Sequence, residues 1–285
     1  MRVKTAAKIN LALDVTGKLP NGYHSLESVF QTVGLYDEVE VELTKGGIEL
    51  SCEVPGEFAD SDPIPCDERN IACKAAKFFF EQNGIDCGCR IHIKKGIPSQ
   101  AGMGGGSTDA AAVLWCLGRM TGKSINAPEK LGADVPFFLT GGTAYVEGIG
   151  ERITPIADYS GRILVIAKGK EGVSTAEAYR NIDGLEEPLH PETQKLAEAI
   201  KTAPDTAYKY FGNLFEQAVR LPEVEDIRSD MLEYRALRAV MTGSGSAVFG
   251  LFEDAAQAAR CVDKLREKGY FAAVCETVPE SFIII

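Results

Sequence analysis

No run of about 18 apolar residues occurs anywhere in the 285-residue chain, so no transmembrane helix is expected. The opening Met1-Arg2-Val3-Lys4-Thr5-Ala6-Ala7-Lys8 leads straight into a strand-like segment without the apolar region of a signal peptide, which points to the cytoplasm. The last residues, Phe282-Ile283-Ile284-Ile285, are too few for an anchor and read as a final strand or docked tail. Basic residues are in deficit: 30 Lys+Arg face 41 Asp+Glu, and the net charge of −11 argues against a nucleic-acid binder with a dominant basic face. A small phosphorylated ligand stays compatible, because a few lysines and backbone amides can meet its charge locally. Histidines are scarce. The eight cysteines offer one close pair, Cys87-Gly88-Cys89, whose single intervening residue is not zinc-knuckle spacing. No metal cluster is expected, and reduced thiols are the default reading. Repeats and low-complexity tracts are also missing.

Glycine is what the chain concentrates. Between Ile97 and Trp115 it reads Ile-Pro-Ser-Gln-Ala-Gly-Met-Gly-Gly-Gly-Ser-Thr-Asp-Ala-Ala-Ala-Val-Leu-Trp. Pro98 biases its predecessor toward extended geometry. Gly102, Gly104, Gly105 and Gly106 allow backbone angles closed to other residues and a close approach to the main chain. Ser107, Thr108 and Asp109 are each suitable N-caps for the alanine-rich helix that follows. Strand, glycine loop and helix N-terminus together suit a phosphate group. A structural turn with nothing bound is the lesser alternative for the same residues. The loop is no Walker motif, since no Gly-Lys-Ser/Thr follows, and its spacing is wrong for a dinucleotide fingerprint. A triphosphate held here needs a lysine from elsewhere.

Residues 7–15 alternate as a strand, with Ile9, Leu11, Leu13 and Val15 on one face and Lys8, Asn10, Ala12 and Asp14 on the other. Two polar residues on such a face are ordinarily solvated. Asn21-Gly22 signals a hairpin. Strands are expected over 23–33, 37–43, 46–54 and 89–95, with a loop reaching Glu68, a helix over 70–82 and another over 109–120. Asp134 stands between apolar neighbours two residues before Pro136, where a carboxylate is either structurally hydrogen-bonded or poised for chemistry. The character changes near 150–160. Beyond it, a β-α-α-β-β-α-β order suggests a second α+β domain, giving units 1–155 and 156–285. A helix is expected to begin at Asn213, and a Thr242-Gly243-Ser244-Gly245-Ser246 turn to break two late strands.

Three blocks now stand in order: Ala7-Lys8-Ile9-Asn10-Leu11, the loop from Pro98 to Ala111, and Thr242-Gly243-Ser244-Gly245-Ser246-Ala247. Together they resemble the signature regions of the GHMP small-molecule kinases. Asn21-Gly22-Tyr23-His24, Ser28 to Thr32 and Leu131-Gly132-Ala133-Asp134-Val135-Pro136-Phe137-Phe138 resemble the branch acting on a cytidine diphosphate conjugate of methylerythritol. The resemblance spans residues 5 to about 252. It implies a two-domain GHMP kinase fold, ribosomal protein S5 domain 2-like followed by ferredoxin-like, with the site in the cleft between them. It also implies ATP and Mg2+, a small-molecule partner, and no nucleic acid or membrane.

In that family, an aspartate matching Asp134 takes the hydroxyl proton and a lysine matching Lys8 stands beside it. Pro98, Gly102, Met103, Gly104, Gly105, Gly106, Ser107 and Thr108 would cradle ATP, with Asn70 and Lys95 on the adenine side. Ser107 or Thr108 would meet magnesium, or serve only as caps. Asn10 would orient the erythritol or its phosphates. Tyr23 and His24 would hold the cytosine, with Tyr179 after Thr175 as a second aromatic wall, unless that ring is simple packing. Gly243 and Ser244 would close over the site. Two departures stand out: Ala6-Ala7 replaces the usual proline-alanine, and the 124–131 connection is several residues shorter than the family's, through truncation or an omitted segment. Another GHMP kinase, on mevalonate-type or sugar substrates, and a catalytically silent nucleotide-binding relative are the alternatives.

Overall fold

The N-terminal alternation extends into one long strand, β1 (Arg2–Lys18), joined by a tight turn at Asn21-Gly22 to β2 (His24–Thr44). This computed structural model describes residues 1–55 and 64–285; most of the loop expected before Glu68 lies outside those residues. The two runs expected over 23–43 are a single strand. Its break in alternation is absorbed where Ala6 pairs with Tyr36 and Ala7 with Val33, so that Gly34 and Leu35 bulge out of register.

A second bulge corrects the predicted facing of β1. Asn10 pairs with Phe30 and Ala12 with Val29, which skips Leu11. Ile9, Leu11 and Ala12 therefore join one core cluster, and Leu13 and Val15 the other. One extra residue inverts every later side chain. Leu13 lands beside Lys8 and Asn10, and all three line one cavity. Nor is that face solvated: Lys8 is 4% and Asn10 2% exposed.

Around this hairpin stand β3 (Ile48–Glu53), α1 (Ile71–Asn83), β4 (Gly88–Lys94), α2 (Gly105–Thr121), α3 (Val135–Thr140), β5 (Thr143–Gly148) and β6 (Arg152–Pro155). The short 124–131 connection holds one 3-10 turn, Pro128–Lys130. A second, four-stranded sheet uses β7 (Ile163–Lys168), β9 (Arg238–Met241), β10 (Val248–Phe252) and β11 (Phe271–Glu276) in the order β11-β7-β10-β9, all antiparallel. Helices α6 (Pro222–Glu233) and α7 (Ala255–Glu267) pack on it, giving the ferredoxin-like β-α-β-β-α-β unit. Between β7 and α6 run α4 (Thr175–Ile182), α5 (Thr193–Thr202) and the two-residue β8 (Gly212–Asn213). The helix expected from Asn213 is only a 3-10 turn, Leu214–Gln217; the regular helix waits for Pro222, whose fixed φ suits a first helical position. Both β8 and the final β12 (Phe282–Ile284) pair with β1, so the first sheet draws strands from both sides of residue 155.

Beneath the glycine loop lies a buried ion cluster. The Lys95 ammonium meets Asp37 and, at 2.8 Å, Asp109, while Asp37 Oδ1 accepts from the Gly96 and Ile97 amides at 2.7 and 2.9 Å. It locks the exit of β4 against the start of α2. The loop above touches the second half directly. Gly102 has φ +71°, and a Cβ there would stand 2.2 Å from the Thr242 carbonyl oxygen. Gly102→Ala is therefore expected to lower stability by about 2 kcal/mol or more. Urea unfolding of the variant measures it, and an unchanged midpoint would show that the contact yields without cost.

Candidate functional site

Helix α2 begins at Gly105, earlier than expected, because Gly104 (φ 71°) turns the chain into the helix and its carbonyl accepts from Thr108 N at 2.9 Å. This corrects the cap assignment: Ser107, Thr108 and Asp109 all lie inside the first turns. Gly104 offers no side-chain cap, so the first amides of α2 point outward without intrahelical acceptors. They open into a cavity of about 510 Å³ lined by Asn70, Lys95, Pro98, the loop from Gly102 through Met103, Gly104, Gly105 and Gly106 to Ser107, and Asp109.

Three residues expected at a nucleotide are otherwise engaged. Thr108 is fully buried, donates to the Ala6 carbonyl at 2.8 Å and meets the Thr5 hydroxyl; it is a core tie. Asn70 caps α1, accepting from Ala72 N and donating to the Pro65 carbonyl. Lys95 forms part of the cavity floor, but two carboxylates hold its ammonium. Burial by itself would depress that ammonium; the charges of Asp109 and Asp37 outweigh it and push it up.

A second cavity, of about 210 Å³, adjoins the first and shares Gly102 and Gly104 with it. Lys8, Asn10, Asp134, Thr175, Tyr179, Gly243 and Ser244 line it, so residues far apart in sequence meet here as expected. The Lys8 amide donates to the Met103 carbonyl at 3.1 Å, tying β1 to the glycine loop. Its ammonium lies 2.7 Å from Asn10 Oδ1, 3.8 Å from Asp134 Oδ2 and 4.5 Å from the centre of the Phe30 ring. Burial lowers the Lys8 pKa, and the nearby Asp134 charge offsets only part of that. Asp134 precedes α3 without capping it, which leaves its carboxylate open toward the cavity.

Asn10 lines the same cavity with most of its carboxamide engaged by the protein. Its Oδ1 accepts from Lys8, from Gly243 N at 3.0 Å and from Thr242 Oγ1 at 3.2 Å, while Nδ2 donates to Ser28 at 3.0 Å. With its oxygen and one Nδ2 hydrogen engaged, it positions Lys8 and the late turn. Tyr23 does not take part in the stack on Tyr179; it is 61% exposed and, like His24, lines neither cavity. His24 stacks on Tyr179 instead, with centroids 4.6 Å apart and planes at 18°, and Tyr179 meets Phe215 edge-on. Thr175 and Ser244 share a hydrogen bond of 2.9 Å across the cavity wall.

Sequence reasoning passed over several neighbours. Phe30 and Phe215 line the second cavity. Asn213 Nδ2 donates to the Met241 and Gly243 carbonyls at 2.7 and 2.8 Å, which holds the late turn. Nothing local marks Asn213 out, because its partners lie about thirty residues downstream. Among the described residues, no group of three or more His, Cys, Asp or Glu is placed to hold a metal ion, and no helix is long and apolar enough to cross a membrane.

Comparison with known proteins agrees with this architecture. A family model for the N-terminal domain of GHMP kinases matches residues 70–142, and one for the C-terminal domain matches 188–270. A 4-diphosphocytidyl-2-C-methyl-D-erythritol kinase of Clostridium botulinum (strain Eklund 17B / Type B) is 41% identical over 289 residues, covering 98% of this chain and 100% of the relative. The kinase of the same name from strain Kyoto / Type A2 is 41% identical over 277 residues, covering 94% and 96%. A crystal structure of 4-(cytidine 5'-diphospho)-2C-methyl-D-erythritol kinase matches with a TM-score of 0.80 at 31% identity, covering 98% of this chain and all of that one. A homoserine kinase from Cytophaga hutchinsonii shares the fold, with a TM-score of 0.76 at 17% identity over 100% of this chain and 97% of that one. With its glycine loop, its paired cavities and this likeness along almost its whole length, the chain belongs to the GHMP kinases, in the family of 4-diphosphocytidyl-2-C-methyl-D-erythritol kinases.

Proposed function

We propose that this cleft transfers the γ-phosphoryl group of ATP to the 2-hydroxyl of 4-diphosphocytidyl-2-C-methyl-D-erythritol. The observation that carries the reading is the 3.8 Å approach of Lys8 Nζ to Asp134 Oδ2 in the cavity that adjoins the glycine loop. The family's named activity supports the substrate. ATP lies in the larger cavity with its phosphates on the free amides of α2, where the helix dipole favours negative charge. The erythritol lies in the smaller one, and the two meet at Gly102 and Gly104.

Asp134 accepts the proton of the attacking hydroxyl. The new O–P bond forms at the γ-phosphorus as the bond to the β,γ-bridging oxygen breaks, and ADP leaves. Lys8 neutralises charge on the transferring group, and Asn10 keeps it in place. Such transfer depends mainly on positioning and charge neutralisation, with proton removal a smaller contribution. Magnesium arriving with the nucleotide would supply further neutralisation, and the Ser107 hydroxyl, on the wall of the ATP cavity, would be an oxygen of this chain to meet it. The base lies toward the hairpin, among Tyr23, His24 and Tyr179. Eight cysteines, all free, favour the reducing cytoplasm as the place of reaction.

Three outcomes test this. ADP release should require the cytidine diphosphate conjugate, and mevalonate or homoserine should be far poorer acceptors in the same coupled assay; a reversed order removes the substrate assignment. Asp134→Asn should bind ATP and conjugate normally by calorimetry yet lose about 10²–10⁴-fold in kcat, and near-normal turnover would remove Asp134 as the base. The third concerns pH. Lys8 is a cation below its folded pKa and neutral above it, and burial lowers that pKa. The profile of kcat/KM should thus fall on the alkaline side below the ordinary lysine value of about 10.4. Lys8→Arg, which stays charged, should abolish that limb; an identical limb in the variant would assign it to another group.

A further inference from the structure

The stacked pair of His24 and Tyr179 is held from outside by a residue that no motif singles out. Asp183 follows the last residue of α4. Its Oδ1 lies 2.7 Å from His24 Nε2, and its Oδ2 accepts from Lys18 Nζ at 2.5 Å. Lys18 ends β1 and His24 begins β2, so one carboxylate grips both sides of the hairpin turn. Hydrogen bonds from Lys18 and then His24 hold that carboxyl below its ordinary range, which keeps it an ionised acceptor. The His24 side chain is only 9% exposed. Stacking on Tyr179 sets the plane of its ring, and the bond to Asp183 sets its rotation.

The consequence is chemical. An ionised carboxylate can only accept, so Nε2 must carry the hydrogen of the imidazole. In the neutral ring Nδ1 is then an acceptor, and among the described residues it has no hydrogen-bond partner. We propose that Asp183 is a positioning residue for base recognition, fixing His24 in the tautomer whose Nδ1 accepts from the exocyclic amine of cytosine. Uracil presents a carbonyl oxygen at that place and offers no hydrogen to share. This rests on the reading that the substrate carries a cytidine diphosphate group. It adds the residue that makes the choice of base.

The test pairs two measurements on the whole chain. Nitrogen-15 NMR of the imidazole rings, only three in this sequence, reads the tautomer of His24. Calorimetry with CDP and UDP, at saturating non-hydrolysable ATP analogue, reads base preference without turnover. In the wild type His24 should be the Nε2–H tautomer and CDP should bind more tightly than UDP. Asp183→Ala should mix the tautomers and cut that preference about tenfold, the worth of one hydrogen bond. The same variant should raise KM for the conjugate and leave kcat within about twofold, since one ground-state contact is lost. Asp183→Asn, which keeps an acceptor oxygen, should retain the preference, as should Lys18→Ala, which loosens the hairpin alone. An Nδ1–H tautomer in the wild type overturns the proposal. So does an unchanged preference in Asp183→Ala, or an equal loss of preference in Lys18→Ala, which would make the carboxylate a mere latch. A wild type that prefers CDP but does not phosphorylate the conjugate would instead overturn the assigned reaction and leave the role of Asp183 standing.

Discussion

Two glycine turns, one from each half of the chain, meet backbone to backbone, and the cleft depends on that contact. A Cβ on Gly102 would stand 2.2 Å from the Thr242 carbonyl oxygen, and one on Gly243 would stand 2.7 Å from the Gly102 carbonyl oxygen. No side chain fits between them. Because the turns touch, the amide of Gly243 reaches Asn10, and Asn10 reaches Lys8. The cavity for a triphosphate and the cavity for an acceptor then share a wall one residue thick at Gly102 and Gly104. Asn213 secures the arrangement from β8, a strand that exists only where it pairs with β1.

Two buried lysines show how environment separates structure from chemistry. Lys95 has two carboxylates in contact, and their charges more than restore what burial takes away. An ammonium so matched is a fastener, because removing a partner strands an unpaired charge in the interior. Lys8 has a single carboxylate at 3.8 Å, an amide oxygen and an aromatic face, and burial prevails. An under-neutralised cation beside an open cavity is prepared to receive phosphate. The two come from different places in the sequence: Lys8 lies within β1, while Lys95 follows the last residue of β4 in register with Cys89, Ile91 and Ile93.

Local pattern carried much of the fold. The hairpin at Asn21-Gly22, the strands flanking it, α1, β4 and the late β-β-α-β run all follow from periodicity and turn residues, which act over a few neighbours. The failures have a common origin in longer range. The bulge at Leu11 leaves no mark in a strand of alternating residues, yet it decides which side Leu13 and Val15 face. Ser107, Thr108 and Asp109 look like caps, but Gly104 starts the helix first, which turns Thr108 toward Thr5 and Asp109 toward Lys95. Tyr23 and His24 are neighbours in one motif, and only the fold selects His24 as the ring that stacks on Tyr179.

By itself the sequence determined the chemistry available: a glycine loop before a helix, one lysine on an apolar strand, one aspartate among apolar neighbours, and the motifs that tie them to the GHMP kinases. Those are properties of residue type and short spacing, and a chain keeps them however it folds. The tertiary structure decided the partners. It brought Lys8 to Asp134, closed the amide of Asn10 around the late turn, turned Lys95 into a buried fastener and set Asp183 against His24. These choices depend on contacts between residues separated by up to 233 positions, from Asn10 to Gly243. Burial, which decides whether a charge is matched, exists only once those contacts have formed.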